Sequence, residues 1–149
     1  AAAELPAAEP LPHQRLEGPA ALAFIARAGI PIASTIGEGI ETVLGMRHDP
    51  AFGPVVSLRL GGTLATLLDD TILRVAPLDL AEAKRMIGEL AGGRILEDAD
   101  IEALAQALVR LSLLAAAQGA RLERLDIDPF LVLPRGRGAL AVGAVAIGR

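Results

Sequence analysis

The stretch from Gly39 to Pro77, GIETVLGMRHDPAFGPVVSLRLGGTLATLLDDTILRVAP, constrains the fold of this chain most. Ile40, Thr42, Leu44 and Met46 alternate with Glu41, Val43 and Gly45. Period two over that length predicts a strand with one buried face. The run HDPAFGP must then turn, because Pro50 and Pro54 cannot donate ladder hydrogen bonds and Gly53 permits positive φ. Pro54 to Leu60 reads as a second strand, broken by Gly61-Gly62. Leu64 to Val75 reads as a third, with a bend at Asp69-Asp70 and an end at Pro77. The three form a β-meander.

The core around this meander has to be aliphatic. Hydrophobic residues make up 52% of the 149 positions, but aromatics only 2%: Phe24, Phe52 and Phe130. Charge is nearly balanced, with 14 basic and 18 acidic residues. With no basic run and few rings for base stacking, nucleic acid is not an expected partner. Cysteine is absent. That excludes disulfides, thiolate zinc sites and cysteine nucleophiles, and agrees with a cytoplasmic protein. The longest apolar run, Ala139 to Ile147, falls far short of the roughly 20 residues of a membrane helix. No charged start precedes an apolar core at the N-terminus, so neither signal peptide nor membrane is expected.

Residues 1–18 are rich in Ala, Pro and Glu without periodicity and read as a linker, His13 being a solvated member of it. Pro19 to Ala28 reads as a helix stopped by Gly29 and Pro31. Leu80 to Leu90 reads as another, with Asp79 as N-cap and Glu82 completing a capping box. Asp100 to Gln118 is the longest, with Ile101, Leu104, Ala105, Leu108, Leu111 and Ala115 on one stripe. Leu122 to Leu133 reads as a strand broken at Pro129, and Ala139 to Ile147 as a fully apolar, buried final strand. These helices and about six strands predict an α/β or α+β unit, helices packed on one face of a mixed sheet.

The hairpin Gly39-Ile40-Glu41, the motif Asp49-Pro50-Ala51-Phe52-Gly53-Pro54, the pair Gly61-Gly62 and the later text LRVAPLD together resemble one family. It is the ATP-grasp part of the NDP-forming acyl-CoA synthetases, the acid–CoA ligases. The similarity runs from Ala20 to Ile147, and the resemblance implies an ATP-grasp-like domain over residues 19–149. It also exposes gaps. The family continues after Ser34 into a large lobe with the lysine that grips the nucleotide, and it has a Gly-x-Arg-Gly-x-Pro loop near residue 96. Here the chain passes directly onward at both points, and its single lysine, Lys84, sits in a later helix. The resemblance therefore predicts missing segments near 34–39 and 96–98, seen as abrupt jumps. The nucleotide lobe is either absent or disordered, and the matching flanks on both sides favour a mobile lobe.

The resemblance also implies ATP and magnesium as cofactors, Glu41, Gly61 and Gly62 near the nucleotide, and Asp126 and Asp128 at the metal. Two adjacent glycines could open the backbone to a phosphate or form a bulge. Asp126 and Asp128 are two apart, so a strand points both to one face, where they could hold one cation or simply meet solvent. Asp70 matches a family aspartate, but a solvated bend is its simpler reading. His48 beside the turn reads as satisfied or solvated. Catalytic residues are not assigned, since Ser34, Ser57 and Ser112 have no histidine at motif spacing.

Where the family carries acids, this chain has Thr66, Arg124 and Gly143, and Arg59 replaces a glycine. Metal affinity should be weakened or lost, and unneutralised carboxylates should repel a triphosphate. Two readings follow. One is the ATP-grasp part of an acid–CoA ligase, a ligase that couples ATP to acyl-CoA formation and works with CoA-binding modules of the same or a partner chain. The other is a degenerate ATP-grasp serving as a non-catalytic structural or subunit-interaction module. The acid substrate and any homo-oligomer stay open.

Overall fold

The computed structural model describes residues 15–33, 37–62, 70–91 and 93–148. Residues 1–14 with His13, residues 34–36, and residues 63–69 with Thr66 and Asp69 lie outside these. So does half of the third strand's expected span, and part of the stretch 34–39 where a jump is expected.

Seven strands and three α-helices alternate along the described chain. In order they are β1 (Arg15–Glu17), α1 (Gly18–Arg27), β2 (Ile40–Asp49), β3 (Gly53–Leu60), β4 (Ile72–Val75), α2 (Leu80–Gly88) and α3 (Ile101–Gln118). β5 (Leu122–Val132), β6 (Ala139–Ala141) and β7 (Ala144–Gly148) complete it. The strands form one sheet in the order β1-β7-β5-β2-β3-β4, with β6 on β5. Pairs between these strands are antiparallel, and an isolated parallel bridge, Ile32 with Ala141, adds the mixed element.

The β2–β3 hairpin is longer than its sequence suggests. Asp49 pairs with Gly53, leaving only Pro50, Ala51 and Phe52 in the loop. Asp49 Oδ1 accepts hydrogen bonds from the amides of Ala51 (2.8 Å) and Phe52 (2.9 Å), an Asx-type turn that tightens the loop. Gly53, at φ +77, takes the left-handed conformation that closes it.

Pro129 does not break β5. The β2–β5 register shifts between Thr42, opposite Phe130, and Leu44, opposite Ile127. A bulge at Asp128-Pro129 absorbs the residue that cannot donate. The same bulge splits the expected final strand. β6 pairs with Phe130–Val132 and β7 with Leu122–Ile127, and Val142-Gly143 between them bonds back to the bulge. There Asp128 N donates to Gly143 O (2.9 Å) and Val142 N to Pro129 O (3.0 Å). β7 lies between β1 and β5, interior to the sheet as its apolar text suggests. The linker reading, by contrast, ends too late. Arg15–Glu17 form an edge strand on Val145–Ile147, and Gly18 already belongs to α1.

Around residues 94–99, where a second missing segment is expected, the chain makes a hydrogen-bonded turn. Glu97 N donates to Arg94 O, Ala99 N to Leu96 O and Arg135 N to Asp98 O. Asp100 then caps α3 through Ala103 N (3.1 Å) and accepts Gly138 N (2.7 Å), fixing the helix start to the β5–β6 turn. α3 is long and apolar enough to cross a membrane by length and composition. Its Leu104, Leu108, Leu111 and Ala115 are buried in the core with Leu44, Val56, Leu58, Leu125 and Ile127 of the sheet, so it is a core helix. With α1 and α2 it covers one sheet face, burying aliphatic surface as the aromatic-poor composition requires.

Candidate functional site

Period two puts the remaining strand residues on the opposite face, and two adjoining clefts lie there. The larger, about 730 Å³, is lined by Phe52, Val55, Leu73, Val75, Arg47 and Arg124 among others. Phe52, Leu73 and Val75 are 70%, 58% and 52% exposed, so its walls are apolar and uncovered. The smaller, about 430 Å³, is lined by Arg15, Val43, Arg59, Arg124, Asp126 and Asp128, together with Ala144, Val145 and Ile147. Arg124 and Asp126 line both clefts.

Asp126 and Asp128 do share one face, as their spacing requires, and both reach the smaller cleft. Their immediate partners are guanidinium groups. Arg124 Nε donates to Asp126 Oδ2 at 2.7 Å, and Arg59 lies 4.0 Å from Asp128 Oδ2. The expected repulsion between unneutralised carboxylates and a phosphate is therefore screened within the chain. Among the described residues no group of three His, Cys, Asp or Glu side chains converges to hold a metal ion.

Glu41, Gly61 and Gly62 come together at the far end of the β2–β3 ladder. Gly61 N donates to Glu41 O at 2.8 Å, so that amide is engaged in the sheet, not offered to a phosphate. Gly62 has φ +61, and a side chain there would run into the Glu41 carboxylate. Glu41 lines neither of the two clefts. The glycine pair thus ends the strand and makes room for Glu41.

Asp70 and Lys84 have structural partners. Asp70 Oδ2 accepts Ala91 N at 2.5 Å, tying the approach to β4 to the end of the α2 segment. Lys84 pairs with Glu102 at 2.7 Å, linking α2 to α3 on the helix layer. His48 is expected to be satisfied or solvated; its Nδ1 is instead buried without a hydrogen-bond partner, in a residue that stands opposite Pro54 in the ladder. The hydrogen bonds from Phe52 and Ala51 amides, in that order, hold the Asp49 carboxyl below its usual value.

Gly143, where the family text suggests an acid, is a packing requirement. A Cβ there would lie 2.5 Å from the Asp128 carbonyl oxygen. The sequence alone places Arg15 in the linker and presents Arg59 and Arg124 as losses, whereas all three line the smaller cleft. The alternation Arg15-Leu16-Glu17 was the available signal that Arg15 belongs to a strand.

Magnesium favours several hard oxygen ligands in octahedral order. Two arginine-paired carboxylates beside a third arginine do not fit that group.

The chain matches the ATP-grasp domain family over residues 27–147. It is 34% identical over 122 residues to the beta subunit of the ADP-forming acetate–CoA ligase II of Pyrococcus furiosus. That alignment takes in 78% of this chain and 52% of the relative, so the chain spans about half the relative's length. A dinucleotide-forming acetyl-coenzyme A synthetase of Ca. Korarchaeum cryptofilum, solved with coenzyme A and Mg-AMPPCP, superposes with a TM-score of 0.70 at 32% identity. The overlap is 76% of this chain and 55% of that one. The same synthetase in its apo form superposes with a TM-score of 0.83 at 23% identity, over 91% and 93% of the two chains, a likeness of fold.

Proposed function

The chain belongs to the ATP-grasp domain family, and from that premise we propose that it is the ATP-grasp part of an NDP-forming acid–CoA ligase. The observation that carries this reading is the 34% identity to an acetate–CoA ligase beta subunit along 78% of the chain. The overall reaction would be acid + CoA + ATP to acyl-CoA + ADP + phosphate. ATP is the proposed nucleotide, and the Mg-AMPPCP complex of the Korarchaeum synthetase supports its use in the family. The proposed partners are CoA-binding modules, in the same protein or in a second subunit, and a cysteine-free chain suits a cytoplasmic setting. This chain's own residues are proposed to supply the sheet face on the nucleotide side of such an enzyme. Glu41, Gly61 and Gly62 are proposed to shape the sheet edge beside the nucleotide. Asp126 and Asp128 are proposed to set the charge of the cleft together with Arg59 and Arg124.

The second reading is a non-catalytic ATP-grasp module that contacts a partner. The arginine-paired carboxylates and the close-packed Gly143 favour it. One assay separates the two. The complete protein that contains this chain is incubated with ATP, CoA and short carboxylic acids, and ADP, phosphate and thioester are measured. The ligase reading expects all three in equal amounts with at least one acid. No nucleotide turnover with any acid, in a folded protein, would leave the partner-module reading, and AMP with pyrophosphate would contradict both.

A further inference from the structure

We propose that the smaller cleft carries its own counter-cations: the guanidinium groups of Arg124 and Arg59 take the charge role of a divalent cation at Asp126 and Asp128, and the cleft holds no Mg²⁺ or Mn²⁺. This goes beyond the ligase reading, because metal binding is measured without nucleotide, CoA or acid.

By spacing alone the two carboxylates suit a cation, since both point to one strand face. The neighbouring charges decide which cation. Arg124 stands two residues before Asp126 in the same strand, so it shares that face permanently and bonds Asp126 at 2.7 Å. Its planar fork matches a carboxylate. Arg59 reaches from β3 to within 4.0 Å of Asp128, and Arg15 adds a third guanidinium to the lining. An incoming divalent ion would have to displace tethered cations and then sit among them, where like charges repel. The chain also has no means of adding a third carboxylate at the bulge, because a side chain at Gly143 would collide with the Asp128 backbone. Among the described residues no third His, Cys, Asp or Glu joins the pair.

Titration with Mn²⁺, followed by loss of the free-ion electron paramagnetic resonance signal, tests this. Wild-type chain is expected to bind Mn²⁺ only in the millimolar range or more weakly. The Arg59→Gln/Arg124→Gln variant is expected to bind Mn²⁺ at least about tenfold more tightly, and further Asp126→Asn/Asp128→Asn substitution should abolish the gain. Arg124 is half exposed, so Arg124→Gln alone provides a folded intermediate, checked by circular dichroism, with a smaller gain in the same direction. Micromolar binding by wild type that is lost in Asp126→Asn/Asp128→Asn would overturn the proposal. So would a folded arginine-free variant that binds no better than wild type.

Discussion

Gly143 shows at a single residue how a position can look like a lost function and be a steric demand. Its Cβ would sit 2.5 Å from the Asp128 carbonyl oxygen, so both Gly143→Ala and Gly143→Asp should destabilise the fold by about 1–3 kcal/mol. Urea unfolding measures this, and an alanine variant as stable as wild type would mean that the bulge yields easily. Asp49 makes a second residue-scale case. Hydrogen bonds from the Phe52 and Ala51 amides favour its ionised form and lower its pKa from 3.8. Its contribution to stability is therefore complete above the unfolded value of 3.8 and fades as pH falls through the lower folded value. The urea midpoint of wild type should drop in that acid window, and the advantage over Asp49→Ala should shrink there. Period two correctly placed Asp126 and Asp128 on one face. It could not announce their arginine partner from β3, because that contact depends on cross-strand register.

Elements with local signals were legible. The three helices follow their apolar stripes, and Asp79 caps α2 by accepting Glu82 N at 2.7 Å. The reciprocal half of the expected capping box is absent as such: the Glu82 carboxylate instead takes Arg74 (2.7 Å) and Arg85 (2.8 Å), which lower its pKa, Arg74 foremost. Arg74 also reaches Glu89, so one side chain joins β4 to two turns of the α2 segment. Asp79→Ala should cost about 1 kcal/mol, and Asp100→Ala about 2 kcal/mol, since Asp100 both caps α3 and holds Gly138 N. Paired thermal melts would check that order. Pro129 was misread for a physical reason. A proline forbids a ladder bond only where the partner strand needs one, and the bulge removes that need.

For the whole molecule, the layered design decides the chemistry. Helices bury one sheet face in an aliphatic core, and the other face presents an apolar-walled cleft beside a smaller one lined by arginines and aspartates. The layering was readable from periodicity, and the ATP-grasp likeness from the hairpin motif. The charge balance of the clefts was not, because it joins β1, β3 and β5, which are far apart in sequence. On the proposal above, the chain keeps the ATP-grasp sheet while arginine, instead of metal, neutralises the cleft carboxylates. Calorimetric titration of the chain with ATP, once with Mg²⁺ and once with EDTA, tests it most directly. Weak binding is expected, in the millimolar range or above, that magnesium does not strengthen. Micromolar, magnesium-dependent binding abolished by Asp128→Ala would contradict it.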